Sequence, residues 1–194
     1  METGSLRSPA ARVLNGGPAW SAQETAANVA LLRQGARLIA FLPKGAYAAP
    51  SRIAPGGGIG RHFRHVIDVY SCFLAGAPSG CVDYTRRERS PGIETDSQEA
   101  LRAAERIVSR LVAPPTKRWK GSFRVRPEEG GSHDWIPSSI ARELEFLRTH
   151  TVHHFALVAI LMRSAGLEPG DAFGVAPSTL RLVKSSLQAA PRAS

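Results

Sequence analysis

Five of the six histidines in the chain fall in two short stretches, RHFRHVIDVY (61–70) and THTVHHF (149–155). Imidazole is the side chain best suited to holding a transition metal or moving a proton near neutral pH. On a helix, His150 and His154 stand at i and i+4, so their rings leave the same face one turn apart, as two ligands of one ion require. His153 lies about 100° round the axis from His154 and suits a surface or supporting position. The first stretch offers His62 and His65, three residues apart, with Asp68 three further on. If the two helices pack together, either His62 or His65 brings a third nitrogen to the pair, and a plain helical wheel puts His62 nearer the apolar stripe. Three neutral nitrogens leave at least one metal position open, the arrangement of a catalytic centre rather than a structural one. Phe146, Leu147, Val152, Phe155, Leu157 and Val158 surround the pair and place it at the edge of a core. Two hydrogen-bonded histidines near the core are the competing reading of that pair. His133 stands apart from both stretches.

Other chemistry is thinly represented. The stretch DYTRRER carries Tyr84, Arg86 and Arg87, which could meet the carboxylates of an anionic substrate; ion pairing with Glu88, Glu94 and Asp96 is the stronger competing reading. Cys72 sits about 10 Å along the helix from His65 and is expected to pack rather than ligate. There is no nucleophile elbow, Walker loop or dinucleotide fingerprint, and GGGIG (56–60) lacks the lysine and preceding strand of a phosphate cradle.

These residues need elements to position them. Ala26, Val29, Leu32, Ala36, Ile39 and Leu42 recur at helical spacing after a Ser21/Glu24 capping box, predicting a first helix over 21–42. The same periodicity predicts helices over 58–75, 97–112 (capped by Thr95 or Ser97) and 139–165, the last opened by a serine and closed at Gly166. Segment 116–135 alternates apolar and charged residues in GSFRVRP and is expected to form an irregular or β-hairpin insertion. One weak turn is expected around Leu180–Leu187. The fold class is therefore all-α, one domain over 21–187, between flexible segments 1–20 and 188–194.

The composition sets bounds. With 43% hydrophobic and 21% charged residues among 194, the chain can bury a real core. The longest apolar run, 155–162, is less than half of the roughly 20 residues that span a bilayer. The first twenty residues lack the apolar run of a secretory signal, and two cysteines make no framework, so a cytoplasmic protein is expected. A net charge of +9 hints at acidic partners, but the basic residues are dispersed among glutamates and no groove-reading motif accompanies them, so nucleic acid is not favoured.

The plan of H-x-x-D (His65, Asp68), a long interval, then H-x-x-H-H (His150, His153, His154) resembles the DinB/YfiT-like superfamily of metal-binding four-helix bundles, over about 21–180. GRHFRHVIDVYSCFLAG, VDYTRRER, IETD and FGVAPSTL look like an uncharacterised bacterial branch of it. The resemblance implies a four-helix bundle with a long crossover, holding zinc, nickel or iron through His65, His150 and His154. His62, Asp68 and His153 would be accessory, with Asp68 orienting His65. It further implies a small-molecule substrate, with a low-molecular-weight thiol as a candidate co-substrate in a transferase or a water in a hydrolase, and a homodimer as a candidate assembly. A metal-stabilised bundle without catalysis is the alternative.

Overall fold

Apolar residues repeating every three or four positions produce four long helices, because only that spacing gathers them on one face of a 3.6-residue turn. The computed structural model describes residues 22–54, 57–113, 122–128 and 135–189. Helix α1 (Ala22–Phe41) buries Asn28, Val29, Leu32, Gly35 and Ile39. Helix α2 (Ile59–Gly76) buries Phe63, Val66, Ile67, Tyr70, Phe73 and Leu74. A 3-10 turn (Ala77–Ser79) ends at Gly80, whose φ of 73° favours glycine, and leads into β1 (Cys81–Asp83). A five-residue helix α3 (Pro91–Thr95) precedes α4 (Ser97–Val112), which buries Ala100, Ala103, Ala104, Ile107 and Leu111. After β2 (Phe123–Arg126) and β3 (Ile136–Ser138) come the longest helix, α5 (Ile140–Ser164), and α6 (Pro177–Ala189).

Both α1 and α2 pack against α4 and α5. Their apolar faces share one core, in which Phe73, Leu144, Val158 and Ala100 are wholly or almost wholly enclosed. At the contact between α1, α2 and α5 the helices approach too closely for any side chain at Gly35: a Cβ there would stand 2.5 Å from Phe155 Cζ and 2.9 Å from Phe63 Cε1. The result is a mainly helical fold carrying a small sheet.

The sheet has the order β1-β2-β3, with β1 parallel and β3 antiparallel to β2. Its registers pair Val82 with Val125 and Val125 with Ile136. Val82, Phe123 and Val125 are buried beneath it. Of the irregular or β-hairpin insertion expected over 116–135, β2 falls within the segment while its partner β3 begins just beyond it, at Ile136; residues 114–121 and 129–134 lie outside the described residues. Sequence periodicity did not separate β1 or α3 from the loop after α2, because three and five residues are too few to display a period.

Local caps explain two helix starts. Asp96, not Thr95 or Ser97, caps α4 by accepting from the Gln98 backbone N–H at 2.8 Å. Ser139 caps α5, its hydroxyl accepting from the Arg142 backbone N–H at 3.2 Å. The capping serine proposed for α1, Ser21, lies outside the described residues, as do 1–20 and 190–194. α6 is longer than the single turn expected around Leu180–Leu187. Among the described residues no helix is long and apolar enough to cross a membrane.

Candidate metal centre

Packing α2 on α5 sets His65 against His150 and His154. The three ring centroids form a near-equilateral triangle, at 4.5 Å (His65–His154), 4.6 Å (His150–His154) and 4.9 Å (His65–His150). One nitrogen from each lies within 4.8 Å of the others, the spacing needed to hold a single ion. The register that makes this possible is fixed from below by a buried polar chain. Asn28 on α1 donates to the backbone oxygens of Glu24 (2.9 Å) and, across the core, Leu144 (3.0 Å). Tyr70 on α2 donates to Asn28 Oδ1 at 2.6 Å, and its oxygen lies 3.3 Å from Thr151 Oγ1 on α5. Thr151 follows His150 in the chain, so α1, α2 and α5 are tied together at the same level of α5 as the histidines. Buried groups of this kind must find partners, and few relative helix positions satisfy them all.

The imidazoles are also prepared electrostatically. Withdrawal from water holds His154 far below the usual histidine range, at about 2, with His150 and His65 adding to the effect. Burial, then the neighbouring Arg87 guanidinium, lowers His65 to about 3. Burial and then His153 lower His150 to about 4. All three are therefore neutral at physiological pH, which keeps lone pairs available to a metal.

The hydrogen bonds around them define two states of the cluster. His65 Nε2 lies 2.8 Å from His150 Nε2, and His65 Nδ1 is contacted by a guanidinium nitrogen of Arg87, which can only donate. Nδ1 must then carry the lone pair and Nε2 the proton, which goes to His150. This is a consistent metal-free network. With the proton moved to Nδ1, Nε2 of His65 is free to ligate and Arg87 keeps its ion pair with Glu128. A neutral imidazole has one lone pair, so the Arg87 contact and metal ligation at Nε2 exclude each other. The donor set, three neutral nitrogens with no thiolate, fits zinc, nickel or iron(II).

The accessory residues are placed differently from one another. His62 Nδ1 is 3.0 Å from His154 Nδ1, so His62 can accept the proton of that nitrogen and leave His154 Nε2 to face the cluster. Asp68 is turned to Arg64 (2.9 Å), which also donates to Glu94 (2.8 Å), rather than to His65. The reason is reach: Arg64 stands one turn before Asp68 on the same helix, and its long side chain arrives first. His153 is exposed, its ring 5.2 Å from that of His154 at the rim of the site. Cys72 touches the backbone oxygen of Arg86 at 3.7 Å and packs against the core; burial raises its thiol to about 11.

A cavity of about 610 Å³ opens onto the triangle, lined by all three histidines and closed by the sheet and the start of α5. That is within the usual size of small-molecule sites. Of the residues considered for substrate binding, Tyr84 lines the cavity, Arg87 is buried behind His65, and Arg86 is 85% exposed beside Asp83. A larger cleft of about 1060 Å³ runs between α1, α5 and α6 and approaches the cluster at His153 without being lined by His65, His150 or His154, whereas the smaller cavity is lined by all three. Sequence reasoning did not single out Glu143, which also lines it. Its position seven residues before His150, two turns along one face, was the available signal. Compared with known proteins, the chain matches no family model, no curated protein and no solved structure.

Proposed function

We propose that the protein is a divalent-metal-dependent enzyme acting on a small molecule, as a thiol transferase or a hydrolase. The observation that carries this reading is the convergence of His65, His150 and His154 on one point at the end of a cavity. The packing of α1 and α2 on α4 and α5 supports its assignment as a DinB-like four-helix bundle, an assignment that otherwise rests on the H-x-x-D and H-x-x-H-H motifs alone.

In this reading a metal supplies Lewis acidity, lowering the pKa of a bound water or thiol so that hydroxide or thiolate exists at neutral pH. The chain's own residues do the rest. His62 orients His154 through its Nδ1–H, as ligating histidines commonly require. The hydrocarbon walls of Val69, Phe146, Val125 and Ile136 limit water and strengthen every polar contact within. Arg87, once released from His65, retains Glu128 as its partner.

A second reading has a specific observation in its favour: the hydrogen bonds Arg87 to His65 and His65 to His150 satisfy the cluster without a metal. Metal analysis separates the two. Protein purified without an affinity tag should carry close to one transition metal per chain, and single alanine substitutions at His65, His150 and His154 should each abolish it. Wild-type protein that neither carries nor takes up zinc, nickel or iron would establish the hydrogen-bonded cluster instead.

A further inference from the structure

Glu143 is a buried carboxylate at the far end of the cavity. Its side chain is almost wholly enclosed, yet it lines the same space as the three histidines. Two hydroxyls donate to it, Tyr84 Oη at 2.8 Å and Ser138 Oγ. Among the described residues the nearest cation, Arg142 Nη1, stands at 4.0 Å on a side chain that is 69% exposed. Glu128, the other carboxylate lining the cavity, is paired with Arg87. Among the described residues, Glu143 thus has only that one long ion pair with an exposed arginine at the cavity wall, less than a buried carboxylate ordinarily requires. The positive end of α5 compensates a part of its charge, as first-turn acidic residues commonly enjoy, but not a whole one.

Seven residues make almost two full turns, so Glu143 and His150 share a face of α5 and stand about 10 Å apart along its axis. Between them lies Phe146, its ring 5.3 Å from that of His150 and 5.5 Å from that of Tyr84. Val69, Val125 and Ile136 complete an apolar middle. The cavity therefore presents nitrogen ligands at one end, hydrocarbon in the centre and a carboxylate at the other.

We propose that Glu143 determines specificity, receiving the protonated amine of a substrate whose reacting head lies at the histidine cluster about 10 Å away, across an apolar spacer. This rests on the metal-dependent reading above. The substrate class is an elongated small molecule with a cationic amine at one end and a metal-seeking group at the other. Tyr84 and Ser138 hold the carboxylate in place by donating to it, which leaves its remaining lone pairs for the ligand.

Hydroxamates, which chelate protein-bound zinc, provide the probe. Zinc-loaded protein would be titrated calorimetrically with octanohydroxamate, 8-aminooctanohydroxamate and 4-aminobutanohydroxamate, alongside Glu143→Gln, with circular dichroism to verify its fold. The long amine should bind about tenfold or more tighter than its methyl-terminated counterpart, as a charge-assisted hydrogen bond warrants. The short amine cannot span the cavity and should gain nothing. Glu143→Gln should erase the gain while leaving octanohydroxamate binding unchanged. Equal binding of the two long compounds to wild-type protein overturns the proposal and leaves the metal centre intact. Failure of the wild type to take up zinc removes both. Since the wild-type comparison decides the matter by itself, a misfolded variant does not blunt the test.

Discussion

Zinc binding at pH 6 should release almost no protons from the protein. Histidines titrating at their ordinary value near 6.5 would each be about three-quarters protonated at that pH, and a three-histidine site would expel about 2.3 protons on loading. Burial instead holds His154, His65 and His150 at about 2, 3 and 4. The protonated fraction at pH 6 is then about one part in a hundred for His150 and smaller for the others, so the sum stays below about 0.1 proton. Titration calorimetry in buffers of different ionisation enthalpy gives the number directly, since the observed heat changes in proportion to protons transferred. At pH 6 a zinc-bound water is still mostly protonated and contributes little. Release of two or more protons would refute the claim that the cluster is neutral because it is buried. A value near zero that persists down to pH 5 would support it.

Three further outcomes follow from the same contacts. His62→Ala should weaken zinc affinity about tenfold, through lost orientation of His154, whereas Asp68→Ala should change it little because Arg64 and not His65 is its partner; competition with a chromophoric chelator measures both. In metal-free protein each depressed histidine makes the unfolded state bind more protons than the folded one, so stability should fall as pH drops from 6.5 towards 4, and His154→Ala should flatten that slope in thermal melts. Gly35→Ala should destabilise by about 1–3 kcal/mol, read by chemical denaturation, because its methyl would collide with two phenyl rings held in the core.

Much of the helical framework was legible in sequence because it is written in period. The expected helices over 58–75, 97–112 and 139–165 lie within a residue of α2, α4 and α5. The candidate centre was legible for a related reason: i, i+4 spacing is itself a statement about direction, so His150 and His154 could be paired before any packing was known. A helical wheel, which puts His62 nearer the apolar stripe, pointed away from the residue that joins His150 and His154, because the rotation of α2 against α5 depends on long-range contacts. Asn28, Tyr70 and Thr151 are three such contacts, separated by up to 123 positions in the chain, and none has a local signature. Asp68, expected to orient His65, pairs with Arg64, and Arg87 pairs with Glu128, two pairings that sequence reasoning did not name. Ion-pair choice depends on which long side chain reaches first, and sequence carries no distances.

The two helix-two histidines illustrate how a single rotation distributes roles. With α2 seated as it is, His65 faces the triangle while His62, three residues earlier, meets the far nitrogen of His154. Rotating α2 by about 60° to exchange them would carry Tyr70 away from Asn28 and leave a buried hydroxyl and a buried amide oxygen unpaired, costing about 1–3 kcal/mol for each. The buried polar chain thus favours the rotation of α2 that places His65, rather than His62, with His150 and His154. Tyr70→Phe tests that coupling without touching the site: it removes one hydroxyl, leaves the ring in the core, and orphans Asn28 Oδ1. Its expected signature is a loss of global stability together with a drop in zinc affinity. Loss of stability with zinc affinity unchanged would show that the register of α2 is held by the apolar core alone.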